Sequence, residues 1–160
     1  KEPDVTIEGL VKDTDYSVTY SNNVNAGTAT VTIVGMNDYV GTLYQYFTIE
    51  PAKMTGVSVH GYKGTYDESI HTITLDGVPE GAVVTYASEE SGIYSEMKPD
   101  RRSAGTTTVY YKIKKANYEE LKGCVKIVIE AAPIAEKKVE LSDVSYVYDG
   151  TAQSRNDKRN

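Results

Sequence analysis

The sequence predicts an all-β chain of short strands, the pattern of a β-sandwich. Three observations predict it. Apolar and polar residues alternate with period two nearly everywhere, which marks strands that bury one face. Turn-forming residues separate the alternating runs, and no window carries an apolar stripe of helical period. The 14 Tyr, against one Phe and no Trp, give a β-leaning composition.

The elements follow in order. Tyr16-Ser17-Val18-Thr19-Tyr20 alternates large residues with small polar ones. Thr28–Ile33 puts Thr on one face and Ala29, Val31 and Ile33 on the other. Further runs are Val57–Tyr62, Ile70–Leu75, Val83–Tyr86, Thr107–Lys114 and Val125–Ile129. Between them lie Ser21-Asn22-Asn23, Val34–Asp38, Asp76-Gly77 and Glu80-Gly81, all of turn composition. Ala131–Lys138 contains Pro133 and reads as a linker. The expected cores are Val18, Val31, Ile33 and Ile49 in one unit, and Val84, Val109, Tyr111, Ile127 and Ile129 in another.

Length and composition narrow the function. The 160 residues make one medium domain or two small ones. No apolar run approaches the ~18 residues of a membrane span. The net charge of −6 argues against nucleic-acid binding, which needs a basic surface to displace counterions. A single Cys excludes an intramolecular disulfide and a multi-Cys zinc site, and two His leave little for a His-based centre. No signal peptide or initiator Met opens the chain, so it reads as an internal or processed piece.

An internal repeat organises the rest. Ala26-Gly27-Thr28 recurs as Ala104-Gly105-Thr106, and Thr19-Tyr20 as Thr85-Tyr86. Asn37-Asp38-Tyr39-Val40-Gly41 is echoed by Asn117-Tyr118 and then Gly123, and Phe47–Ala52 by Ile127–Pro133. Inward positions correspond: Val18 with Val84, Val31 with Val109, Ile33 with Tyr111, Ile49 with Ile129. The spacing is 66 at Thr19/Thr85 and 78 at Ala26/Ala104, so the second copy carries about twelve extra residues within Ala87–Ser103. Tyr148-Asp149-Gly150-Thr151 resembles Tyr62-Lys63-Gly64-Thr65 and opens a third copy. The expected domains are 1–52, an incomplete first unit; 53–133, a complete second; and 134–160, the opening strand of a third plus a tail.

The run Asp15–Asn23 followed by Asn25–Val31 resembles the immunoglobulin-like repeats of large bacterial cell-surface proteins, chiefly Gram-positive. Such repeats combine a Tyr-Asp-Gly-Thr opening, an Asp-Tyr-x-Val-x-Tyr strand, an Ala-Gly-Thr strand and an Asn-Tyr-x-Gly turn. The resemblance covers most of 3–52 and, more loosely, 57–151. It implies tandem immunoglobulin-like β-sandwich modules in an elongated array, on the bacterial cell surface or secreted. The implied function is a non-catalytic stalk that carries other domains away from the cell wall. An adhesive module for a glycan or host protein is the alternative, and an accessory module of a secreted polysaccharide-degrading enzyme is a third. The chain departs from the pattern at Ala29 and Thr107, where related strands often place Tyr.

Candidate chemistry is sparse. Asp13, Asp15, Asp38, Glu89, Glu90 and Glu96 sit in turns and read as solvated charges rather than a glycosidase pair. Glu50 and Asp76 are candidate calcium ligands near the first junction, but no Asp-x-Asp-x-Asp-Gly spacing accompanies them. Cys124 faces away from the inward Val125, Ile127 and Ile129, and neither His60 nor His71 is near it in sequence, so no nucleophilic dyad is expected. A Lys–Asn crosslink, known in some such stalks, is disfavoured because Lys112, Lys114 and Lys126 point outward and Asn117 lies in a turn. The expectation is no catalytic residue, no metal and no cofactor. Tyrosines are the binding signal. Tyr44, Tyr46 and Tyr110 should face solvent, where Tyr stacks on sugars or anchors a protein partner. Within the Ala87–Ser103 insertion, Ile93, Tyr94 and Met97 are the apolar candidates. Val139–Gln153 carries the strand type that the first unit lacks, so strand exchange between chains is expected through it. A frayed first unit with a free tail is the alternative.

Overall fold

A computed structural model of the chain describes residues 1–136, 138–140, 147, 148 and 150. Eleven strands account for its regular structure, with one short 3-10 turn at Ile134–Glu136 and no α-helix among the described residues. Among the described residues no helix is long and apolar enough to cross a membrane. The strand exchange expected through Val139–Gln153 rests on 141–146, 149 and 151–153, outside the described residues.

The first sheet is built from β1 (Tyr16–Ser21), β2 (Gly27–Gly35) and β3 (Thr42–Ile49), antiparallel in that order. Alternation in β2 works as the pattern dictates. Ala29, Val31 and Ile33 are buried, and the Thr residues between them are not. Their face packs with Tyr16 against Val5, Ile7 and Leu10 of the preceding segment. That segment forms no strand, yet it is held: the Tyr16 hydroxyl donates to the Val5 carbonyl at 3.1 Å, and the Tyr20 hydroxyl to the Pro3 carbonyl. Val18 and Phe47 are half-buried beside this core, and Ile49 lies at its margin rather than within it. Among the described residues β3 pairs on one side only.

The predicted run Val57–Tyr62 breaks at Gly61 into β4 (Ser58–His60) and β5 (Tyr62–Thr65). Ile70–Leu75 likewise divides into β6 (His71–Thr72) and β7 (Thr74–Asp76) around Ile73, which is fully buried. Then come β8 (Val83–Ala87), β9 (Asp100–Arg101), β10 (Gly105–Lys114) and β11 (Leu121–Glu130). The larger sheet has the order β5-β11-β10-β8, with β5 parallel to β11. Strands β4 and β7 pair with each other, as do β6 and β9. Val59 of β4 and Leu75 of β7 pack with Ile73 onto Tyr86, Val109 and Ile127 of the larger sheet. Sheet thus faces sheet across one core, an all-β arrangement consistent with a β-sandwich.

The registers of the two main sheets run in parallel. Gly27 lies opposite Ile49, Ala29 opposite Phe47 and Val31 opposite Gln45. Gly105 lies opposite Ile129, Thr107 opposite Ile127 and Val109 opposite Val125. Gly27 and Gly105 share a backbone conformation, φ +132° and +129°, that a residue with a Cβ rarely adopts. The first strand corrects the sequence alignment. Val18 lies opposite Ile33, and the matching position opposite Tyr111 holds Tyr86, not Val84. Tyr16, opposite Gly35, is matched by Val84, opposite Ile113. The offset is therefore 68 at this strand against 78 at the next, a difference of ten residues rather than twelve.

Candidate functional site

Two places among the described residues are the main candidates for a site. The first joins the two main sheets. The β10–β11 connection turns at Asn117, whose φ of +67° is left-handed. Asn tolerates that conformation because its short side chain bonds locally. Here the side chain reaches across to the other sheet's residues instead. Its Oδ1 accepts the Ala26 N–H at 2.8 Å, and its Nδ2 donates to Asn25 Oδ1 at 3.0 Å. Its backbone carbonyl accepts the Ala52 N–H at 2.9 Å, and the Glu119 N–H donates to the Ala52 carbonyl at 2.9 Å. Ala52 and Tyr118 thereby form an isolated parallel bridge. One residue uses its side-chain amide and its carbonyl to fasten two separate loops. Asn37, the matching residue in the first sheet, has the same hand (φ +55°) but donates to its own unit, at Thr14.

The second place is a groove of about 570 Å³ between the 88–98 segment and the larger sheet. Tyr94, Tyr110, Lys112 and Cys124 line it. The segment is pinned, not free. Tyr86 and Ser95 exchange both backbone hydrogen bonds, at 2.7 and 2.9 Å. Thr72 Oγ1 donates to the Pro99 carbonyl at 2.6 Å, and β9 closes the return. Tyr94 then lies back on the sheet with Lys112 Nζ 3.8 Å from its ring centre, a cation–π contact, and its hydroxyl donates to the Glu90 carbonyl. Burial and then the Glu90 charge raise the Tyr94 hydroxyl above its ordinary pKa.

The candidate binding residues do not converge. Tyr94 and Tyr110 share the groove. Tyr110 is half-buried rather than solvent-facing, because the insertion folds over it. Ile93 and Met97 project into solvent, 95% and 81% exposed, and do not line the groove. Tyr44 and Tyr46 are exposed as expected, but on β3 of the other sheet. Cys124 is exposed on the groove wall, with neither His beside it among the groove residues. His60 Nε2 stands 3.6 Å from Asp76, and His71 Nε2 lies 2.9 Å from Asp67 with its ring stacked on Tyr62. Glu50 and Asp76 belong to no cluster: among the described residues no three His, Cys, Asp or Glu side chains are grouped to hold a metal ion.

The site missed from sequence is Asn117. Its signal was present: an Asn followed by Tyr within three residues at two turns, Asn37 and Asn117, where the backbone is left-handed. No protein-family model matches the chain, and no curated protein or solved structure matches it either.

Proposed function

We propose that the chain is a non-catalytic stalk segment of a bacterial extracellular surface protein, built from tandem immunoglobulin-like units. In this reading the units hold other domains away from the cell, and each junction limits bending. The observation that carries it is the Asn117 latch, which ties the second unit to two loops of the first through four hydrogen bonds. A flexible tether would need none of these. The matched registers of β2–β3 and β10–β11, and the matched Gly27 and Gly105, support descent from one repeated unit. Small-angle scattering tests the reading. A stalk segment gives one narrow, extended distance distribution, unchanged by salt. A broad distribution that varies with salt would contradict it.

An adhesive module is the second reading, favoured by the Tyr94–Tyr110 groove with Lys112 and Lys122 at its edge. Tyr rings offer stacking faces for a sugar, and the ammonium groups suit an acidic one. A glycan array probed with the chain and with Tyr94→Ala separates the two readings. Binding lost in the variant favours adhesion, and no binding by either favours the stalk.

A further inference from the structure

At the far end of the larger sheet lies a second, smaller cleft of about 450 Å³, lined by Tyr66, Ser103, Ala104, Ala132, Pro133 and Ile134. Its position in the second unit matches that of the latch in the first. Asn25-Ala26-Gly27 becomes Ser103-Ala104-Gly105, and Ala52, three residues beyond Ile49, becomes Ala132, three beyond Ile129. The sheet register sets these equivalences, since Gly27 faces Ile49 as Gly105 faces Ile129.

We infer that this cleft is the socket for a further unit of the same repeat, entered by that unit's left-handed asparagine turn. The inference rests on the stalk reading and adds the identity of the partner and its contact. The two donors that Asn117 satisfies in the first unit, the N–H groups of Ala26 and Ala52, have counterparts in the N–H groups of Ala104 and Ala132. Neither counterpart has a hydrogen-bond partner among the described residues. The Ser103 hydroxyl replaces the Asn25 amide oxygen as acceptor for the incoming asparagine Nδ2. On the other side of the turn, Arg101 donates to the Ala104 carbonyl at 2.7 Å and to Thr107 Oγ1 at 3.0 Å. That clamp holds the 104–105 peptide, the neighbour of the Ser103–Ala104 peptide that carries the Ala104 N–H. The apolar lining of Ala132, Pro133 and Ile134, the last 83% exposed, offers the surface that a docked Tyr118-type ring covers. A handful of hydrogen bonds holds only partners joined in one chain, where effective concentration is high. The occupant is therefore the next unit along the chain, not a free protein.

The test is a fusion in which Ile134 is followed directly by a second copy of Thr55–Pro133, so that Pro133 and Ile134 stay in the cleft and take the places of Lys53 and Met54 at the first junction. Amide hydrogen exchange is read at Ala104 and Ala132 of the first copy, and at Ala26 and Ala52 as the internal reference. The expected result is exchange at least tenfold slower at Ala104 and Ala132 than in the 160-residue chain. Asn117→Gly in the added copy alone should restore fast exchange there, while Ala26 and Ala52 stay protected. Unchanged exchange at Ala104 beside a folded added copy would overturn the socket and leave the stalk reading standing. An added copy that stays unfolded counts equally against it, because the same residues fold behind the first junction. Protection at Ala104 already present in the 160-residue chain would also overturn it, by showing that this chain's own C-terminal residues fill the cleft. Fast exchange at Ala26 and Ala52 in every chain would instead defeat the stalk reading beneath it.

Discussion

Single residues carry both the core and the latch. Val109 is fully buried at the centre of the larger sheet, opposite Val125 and beside Ile73 and Ile127. An aspartate there is an unpaired charge in an apolar core and costs about 4 kcal/mol or more. Val109→Asp is expected to unfold the larger sheet, seen as loss of the Ile127 methyl signal in dispersed NMR spectra. A Val109→Asp chain with the parent's urea midpoint would contradict the register described here. Asp67 makes a pH-dependent contribution. Its carboxylate is held below the ordinary value of 3.8 first by the hydrogen bond with His71, then by the Ser69 N–H. A carboxyl depressed on folding adds stability above its unfolded value and loses it as the pH falls through its folded value. The melting temperature should therefore fall more steeply below about pH 4 in the parent than in Asp67→Asn. Equal acid slopes in the two chains would refute the pairing. Sequence alone suggested neither partner, since Asp67 and His71 meet only because β6 brings His71 over Tyr62.

At the level of elements, alternation located three of the long strands. Strands β2, β10 and β11 fall where period two places them, and the expected Val31, Ile33, Val109, Ile127 and Ile129 are buried. It failed where strands are short or both faces are covered. Ile73 lies within the expected run Ile70–Leu75 but was not among the expected core residues; it falls between two short strands and is fully buried because two sheets close over it. Tyr16 and Tyr86 read as ordinary alternating positions, but their rings fill cores that lack Trp and hold little Phe. The insertion was legible as extra length. Its fold was not, because the Tyr86–Ser95 bridge joins backbone groups and leaves no side-chain signature. Ser95→Pro removes the N–H that donates to the Tyr86 carbonyl. A glutamate-specific protease should then cut after Glu89 or Glu90 about tenfold faster, since local opening sets access to cleavage. An unchanged cutting rate would mean that the segment is held by something other than this bridge.

For the whole molecule, the sequence shows recurring short motifs but not the contact between the two main sheets. Repeated motifs such as Ala-Gly-Thr lie within strands and turns of each unit, whereas the latch is a contact between Asn117 and residues some 91 positions earlier. Only folding of both sheets brings them together. With this latch in place the two sheets are expected to move as one rigid body. Asn117→Gly is the cleanest perturbation, because glycine keeps the φ of +67° at little cost and removes only the side-chain amide. Two hydrogen bonds at about 1 kcal/mol each then leave the docked form, about a thirtyfold change in the docked-to-undocked ratio. Residual dipolar couplings of the backbone amides in β1–β3 and in β5, β8, β10 and β11 measure this directly. One alignment tensor should fit both sheets in the parent chain, and two tensors of unequal magnitude should be needed in Asn117→Gly. Two unequal tensors in the parent chain would contradict it.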